Sequence, residues 1–465
     1  MGVTKRFVRC TVTACCLLLT PALASADKLE DLEQSLRTQQ KAIEAQQAQM
    51  RQMQEELTRL RQERAAQQEE MTKRVVDAEK KAEASKLPFN AGYKDGFYLK
   101  SDDDRFRLNL TGYIQNWLLL EAGDRQQNNT FRFRRARFTL NGTVFSDFGF
   151  QFESEFAGAA RMEEWWVSYK RFPEATLIVG QHKPRYSLEN LTSSRDLDFA
   201  ERAIIVRALA PDQQLGITLQ GQLFTNMVSY AAGVYNGCGR IDLCPGGLDS
   251  DNDKEITGRV TVTPVPYLTV GADVDFRTFK KGPGGNVATD GNGATMNTAL
   301  NSFVFNPTTE TGFKLAGAGF PIKGNRVATS GDLVLDLYPF LLKGEYHYAE
   351  QERTGQGAGG TNLPDLRIQG AYAELGYWLF GKKPAGLLAL ARYEYFRADA
   401  EALKAGERAA TVNAGLLGLN WYLNRFVRLR ANYLATQIDP AQNTNRRGGG
   451  GGIANEGILE VQVGF

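Results

Sequence analysis

The stretch Thr130 to Ala157, TFRFRRARFTLNGTVFSDFGFQFESEFA, reads as two alternating strands joined at Ser146-Asp147. In the second strand Phe148, Phe150, Phe152 and Phe156 share one face, and Gly149, Gln151, Glu153 and Glu155 share the other. Such a period of two places the strand between unlike solvents. A soluble sandwich would cover the apolar face with a second sheet, whereas a transmembrane barrel would turn it to lipid and enclose the polar face. The first strand crowds Arg132, Arg134, Arg135 and Arg137 together, and its phase slips: Phe131 and Phe133 have one parity, Ala136, Phe138 and Leu140 the other. A bulge near Arg134 or Arg135 explains the slip. It would turn several guanidinium groups toward one interior, where their planar forks suit phosphate or carboxylate oxygens. The alternative is a solvated basic edge strand.

Composition narrows the classes. Lys plus Arg is 55 and Asp plus Glu is 53, giving a net charge of +2, so the chain lacks the global basic field of a nucleic-acid binder and no nucleic-acid partner is expected. The 47 Gly, 26 Phe, 17 Tyr and 5 Trp suit many turns and aromatic girdles. Residues 1–26 read as a secretory signal peptide: Lys5, Arg6 and Arg9, an apolar run through Leu17, Leu18 and Leu19, then Ala24-Ser25-Ala26 before Asp27. Val12 to Cys15 resembles a lipoprotein box, but the apolar run follows the cysteine instead of preceding it, so lipidation is not expected. Loss of the signal leaves Cys238 and Cys244 in the Gly-rich stretch NGCGRIDLCPGG, a candidate disulfide in an oxidising compartment. The histidines are His182 and His347, far apart. No metal spacing or nucleophile motif is present, so neither a cofactor nor catalysis is expected. Past the signal no apolar run approaches the roughly 18 residues of a membrane helix, and mean hydropathy is −0.36. If this chain enters a membrane, it does so as strands.

From Asp27 to Lys86 there is neither Gly nor Pro. Leu29, Leu36, Ile43, Met50, Leu57 and Met71 keep one heptad position, and Leu32, Met53 and Leu60 the other. This is a coiled-coil pattern with polar layers at Gln39, Gln46, Arg64 and Gln67, placed at residues 27–88. After a short link from Asn90 to Gly96, residues 97–465 alternate strand-like segments with turns, about sixteen strands in all. The stretch Thr311 to Phe320 reads as either strand or loop. Connections alternate between short turns, as at Pro173-Glu174 and Asn424-Arg425, and long loops, as at Lys183 to Asp212 and Pro440 to Asn455. Outer-membrane barrels divide their turns and loops in this way. At the C-terminus Leu459, Val461, Val463 and Phe465 share one face, and the final aromatic residue resembles the assembly signal of outer-membrane proteins.

With these residues in hand, the chain resembles the phosphate-selective porins of the O and P type. The resemblance rests on FRFRRARFTLNGTVFSDFGFQFESEF, WWVSYKRFPEATLIVGQHKPRYSLENLTSSRDLDFAERA, GAYAELGYWLFG, ARYEYF and LGLNWYLNRFVRLRANYL, in that order. It implies an all-β transmembrane barrel of sixteen antiparallel strands in the bacterial outer membrane, assembled as a homotrimer, with Lys183 to Asp212 folded inward to narrow each pore. The anion contacts it implies are Arg134 and Arg135, with Arg137, from the strand, and Ser193, Ser194, Lys183, Arg185 and Arg195 from the loop. One departure stands out: where the family has a loop lysine, this chain has Leu188-Glu189-Asn190-Leu191, and a glutamate there would oppose an anion. Glu153, Glu155, Glu163 and Glu164 are also candidates for the interior. The expected function is passive diffusion of small hydrophilic solutes, anions such as phosphate foremost. The alternatives are a general or cation-tolerant pore for sugars or dicarboxylates, and a structural anchor whose periplasmic helix, about 90 Å long at 1.5 Å per residue, reaches cell-wall partners.

Overall fold

A computed structural model of the chain describes residues 26–84, 89–122, 129–241, 249, 252–279, 323–355, 357–401, 409–438 and 453–465. Residues 1–25 of the stretch read as a signal peptide, Cys244 and the stretch from Thr311 to Phe320 lie outside the described residues. The chain divides into two compact units, 1–87 and 88–465.

The first unit is one helix, α1, Ala26–Ala84. Good helix formers fill it throughout, and Glu69–Lys73 and Glu70–Arg74 pairs at 2.9 Å lace its surface. Its apolar seam is bare. Leu36, Ile43, Met50, Met53, Leu57, Leu60 and Met71 are 51–72% exposed, so nothing in a single chain rewards the heptad.

The second unit opens with a hairpin, β1 (Phe89–Tyr93) and β2 (Phe97–Ser101). Sixteen longer strands follow among the described residues: β3 (Arg107–Ala122), β4 (Thr130–Val144), β5 (Phe148–Glu155), β6 (Arg161–Phe172), β7 (Ala175–His182), β8 (Gln214–Leu223), β9 (Val228–Tyr235), β10 (Glu255–Val265), β11 (Leu268–Phe279), β12 (Gly324–Leu337), β13 (Phe340–Arg353), β14 (Leu363–Lys382), β15 (Ala385–Ala400), β16 (Ala410–Tyr422), β17 (Val427–Ile438) and β18 (Ile453–Gly464). Each pairs antiparallel with the next, and β18 pairs with β3, Gln462 opposite Gln115. The sheet therefore closes on itself. No free edge remains in the ring and, among the described residues, no second sheet covers it, which disposes of the sandwich reading.

The two faces are those of a membrane barrel. On β18, Leu459, Val461 and Val463 are 45–49% exposed on the outside, while Glu456, Glu460 and Gln462 are buried inside. Phe131 and Phe133 point outward at 80% and 65% exposure. Trp165 and Trp421 are exposed on the outer wall and Trp378 is buried. The phase slip in the first strand is a bulge. Gln115 pairs with Arg135 and Asn116 with Phe133, leaving Arg134 as the extra residue, so Arg134 and Arg135 are both buried inside.

The stretch read as a link, Asn90 to Gly96, is instead most of the β1–β2 hairpin. Asp95 at φ 57° and Gly96 at φ 133° make its turn. Only five residues of alternation on either side hid it from the sequence.

Candidate functional site

The segment between β7 and β8 turns inward and fills much of the barrel lumen. It holds two short helices, α2 (Leu188–Leu191) and, within its apolar part from Phe199 to Leu209, α3 (Ile204–Leu209). Ile204, Ile205, Val206 and Leu209 are buried in one cluster with Leu366, Ile368, Leu388, Leu390, Phe396, Val412 and Leu416 from β14, β15 and β16. This sector of the inner wall is greasy. Close approach demands glycine at Gly370, where an added Cβ would lie 2.9 Å from Ile205 and 2.5 Å from the Tyr395 carbonyl.

Polar contacts fix the rest of the loop. Glu345 on β13 accepts hydrogen bonds from Ser187 Oγ at 2.7 Å, the Glu189 amide at 2.7 Å and Tyr372 OH at 2.9 Å. Arg392 on β15 donates to Glu189 at 2.5 Å and to Glu374 at 2.6 Å. Its guanidinium carbon lies 4.6 Å from the Phe199 ring centroid and 4.7 Å from that of Tyr372. Asp198 pairs with Lys343. The Leu197 carbonyl accepts from Arg428 at 3.1 Å and Arg430 at 2.5 Å. The amides of Ala203 and Ile204, at the start of α3, donate to Glu189 and Glu394 at 2.7 and 2.8 Å.

The residues singled out in the sequence fall into two groups. Arg134 and Arg135 are held by one loop carboxylate, Glu201, at 2.5 and 3.4 Å. Arg137 meets Glu153, Glu155 and Glu163 at 2.7–3.0 Å. Arg137 is thus outnumbered by carboxylates, whereas Arg134 and Arg135 share one. Lys183, Arg185 and Arg195 from the loop pair with none among the described residues. Lys183 donates to the Asn190 carbonyl at 2.8 Å, and Arg195 to the Arg425 carbonyl at 3.4 Å. Arg185 is half-buried, and its Nε has no hydrogen-bond partner. Ser193 is exposed, whereas Ser194 is buried and its carbonyl accepts from Gln115 at 3.1 Å. Cys238 is disulfide-bonded and buried.

Glu189 needs a correction. It does not oppose an anion in open lumen, because it is buried, paired with Arg392 and capping α3. Sequence reading also missed Arg202, which donates to the carbonyls of Glu189 at 2.9 Å and Thr192 at 2.8 Å. Glu345, Arg392 and Lys343, the wall anchors, were missed too; their one signal is inward parity in EYHYAE, ARYEYF and FLLKGEY.

Electrostatics follow the pairing. Burial, then the neighbouring Arg202, pushes the Lys183 amine down to about 7. Burial alone would raise the Glu201 carboxyl, but Arg134 and Arg135 outweigh it and hold Glu201 well below the usual carboxylate range.

The arrangement is thus a closed ring of strands, apolar outside, with an inward loop that carries basic groups. A family model described as phosphate-selective porin O and P matches residues 109–449. The chain belongs to that family. It is an outer-membrane porin, a channel by family and fold. Among curated relatives, Porin O of Pseudomonas aeruginosa is 23% identical over 426 residues, covering 77% of this chain and 90% of that protein. An uncharacterised protein of Caulobacter vibrioides is 28% identical over 161 residues, 32% of this porin and 31% of its relative. Two solved structures share the fold. The outer membrane channel DcaP of Acinetobacter baumannii has a TM-score of 0.53 at 12% identity, covering 80% of this porin and all of that chain (100%). An anion-selective porin from Comamonas acidovorans has a TM-score of 0.51 at 12% identity, covering 77% and 100%.

Proposed function

We propose that this porin passes small anions, phosphate among them, by passive diffusion, and that the preference comes from the infolded loop more than from the arginine strand. The observation that carries the reading is the mismatch of partners on the loop. Of its five carboxylates, Glu189, Asp198 and Glu201 pair with wall cations and Asp212 with Arg240, leaving Asp196 exposed, while Lys183, Arg195 and Arg202 donate to carbonyl oxygens and Arg185 makes no ion pair among the described residues. A carbonyl accepts a hydrogen bond without cancelling a charge. Positive potential therefore remains where the lumen is narrowed, lowering the barrier to anions, and moderate contacts let them leave. Arg134, Arg135 and Arg137 serve in this reading to hold the loop and the wall. Ser193, exposed beside Arg195, is available to a passing oxyanion.

The test is the reversal potential of the purified protein in a planar bilayer under a salt gradient, with phosphate titrated against chloride current. The reading expects anion selectivity that falls in Arg185→Ala and survives at least in part in Arg137→Gln with Glu163→Gln. Cation selectivity, or indifference to phosphate, would leave a general pore on the same fold.

We also infer that α1 assembles as a parallel coiled coil in a homotrimer and extends into the periplasm. The bare seam from Leu36 to Met71 supports it, since burial against sister helices would stabilise each chain by about 1 kcal/mol or more per large apolar side chain. Deleting residues 27–86 is the check: loss of trimers assigns α1 to assembly, and conductance from intact trimers assigns it to spacing or tethering.

A further inference from the structure

On the arc from β3 to β11 the inner wall divides by height. Toward the long loops it is dense in charge, with Arg135, Glu155, Glu163, Glu255 and Arg277 all buried. Toward the short turns the inward positions carry amides and hydroxyls, among them Asn109, Asn141, Gln151, Thr218, Gln220 and Thr261, and no charge except Arg107 and Lys170 at the rim. Asn109 Nδ2 donates to Asn141 Oδ1 at 2.9 Å, so these groups are ordered into a shelf.

One large ring stands on that shelf, Trp166 of β6. Trp165 and Val167 on either side of it are exposed on the outer wall, so by alternation Trp166 turns to the lumen, where it is half-buried. Its Nε1 and Gln151 Nε2 both donate to Glu164 Oε2, at 3.3 and 3.1 Å, which fixes the edge of the indole. One flank is bare: across the sheet Trp166 pairs with Gly180, and Gly180 with Gly216. At Gly180, with φ at 134°, an added Cβ would lie 2.7 Å from Trp166 Cα, so this approach excludes a side chain. Trp165 stacks on Phe152 outside, whereas among the described residues no ring or cation stacks on Trp166. The charged zone begins one row away. Glu164 lies opposite Glu153, Glu153 pairs with Arg137 at 2.7 Å, and both carboxylates act on the Lys183 amine of the loop.

We propose that this shelf is a subsite for hydroxylated organic anions, sugar phosphates by class. The inference rests on the anion reading above and names its solute. The phosphoryl group meets Lys183 and the other loop cations, the apolar face of the sugar ring lies on Trp166, and the hydroxyls exchange hydrogen bonds with Gln151, Asn141 and Glu164. An indole with a fixed edge offers flat apolar area. Amides donate and accept, and a carboxylate accepts, which suits hydroxyl groups as a row of arginines would not. A site that fixes a small solute needs few such polar groups beside its apolar surface. Inorganic phosphate has no apolar face to lay on the ring, so the shelf separates the two solutes.

Planar-bilayer recordings of the full-length protein test this, with inorganic phosphate or glucose-6-phosphate titrated against chloride current. The readout is the ratio of the two half-blocking concentrations. In the wild type glucose-6-phosphate should block at a concentration lower by roughly threefold to tenfold, the worth of one aromatic contact. Trp166→Ala should bring the ratio close to one, and Trp166→Tyr should restore it in part. If Trp166→Ala yields no channels, Gln151→Leu reads the same shelf and should lower the ratio. Equal block by the two solutes in the wild type, or a ratio that these variants leave intact, would overturn the subsite while the phosphate block keeps the anion reading. Block by neither solute would remove the anion reading and the subsite with it.

Discussion

Replacing Arg392 with Met should release the infolded loop while leaving the barrel closed. The guanidinium is 5% exposed and touches Glu189, Glu374 and Glu394 at 2.5, 2.6 and 3.4 Å. Met keeps apolar volume between Phe199 and Tyr372 but leaves three carboxylates buried without that cation. Removing one partner from a buried ion pair costs about 3–5 kcal/mol. Of the three acids only Glu189 belongs to the loop, so undocking the loop relieves part of the strain. The local opening equilibrium of residues 188–209 should therefore rise, with a ceiling of roughly a hundredfold to a few thousandfold set by that full cost at 1.4 kcal/mol per decade. Amide hydrogen exchange followed by mass spectrometry reads this directly. Exchange should accelerate across residues 188–209 and stay slow in β10 to β12, whose ladders do not involve Arg392. Adding Glu374→Gln should restore part of the protection, since an amide needs no counter-ion. Unchanged loop exchange in a variant that still shows a heat-modifiable barrel band would refute the idea that this cluster docks the loop. Equal acceleration in β10 to β12 would show that the arginine supports the barrel as a whole.

Lys183 supplies a pH dependence. With its amine at about 7 against an ordinary 10.5, the folded channel carries that charge only below neutrality, so anion preference should weaken as pH rises from 6 to 8; a reversal potential that shifts equally in Lys183→Met would discard the assignment. The same depressed value makes the unfolded chain bind more protons between pH 7 and 10.5, so this residue's contribution to stability should rise with pH across that window. Deleting Arg134 removes the extra residue while leaving Phe133 opposite Asn116 and Arg135 opposite Gln115, so Phe131 and Phe133 stay outward and heat-modifiability should be kept; its loss in the deletion would show that the bulge itself is needed to close the barrel. Ile43→Asp with Leu57→Asp should reduce the oligomer seen by light scattering in detergent, without altering the barrel's circular dichroism; an unchanged mass would remove the seam from assembly.

What the sequence disclosed, and what it withheld, follows from the range of the interactions. The number of barrel strands was legible, because a period of two is written within most of them. The bulge at Arg134 was visible for the same reason: Phe131 and Phe133 cannot share a face with Phe138 unless one residue is extra. The greasy sector of the inner wall was not visible. In LLALARYEYF and TVNAGLLGLNWY both faces are largely apolar, so alternation cannot say which face meets lipid, and the partner that makes an apolar lumen tolerable, Ile204 to Leu209, lies about 180 residues earlier in the chain. The sign of the lumen was hidden by the same distance. Glu189 read as a charge set against anions, yet it is paired with Arg392; Arg134 and Arg135 read as the anion site, and Glu201 from the loop lies against both. A near-zero net charge is therefore compatible with a positive constriction. What matters for a passing ion is which cations the fold leaves bonded to carbonyls, and only the docked loop, which brings distant strands to Lys183, Arg185 and Arg202, determines that.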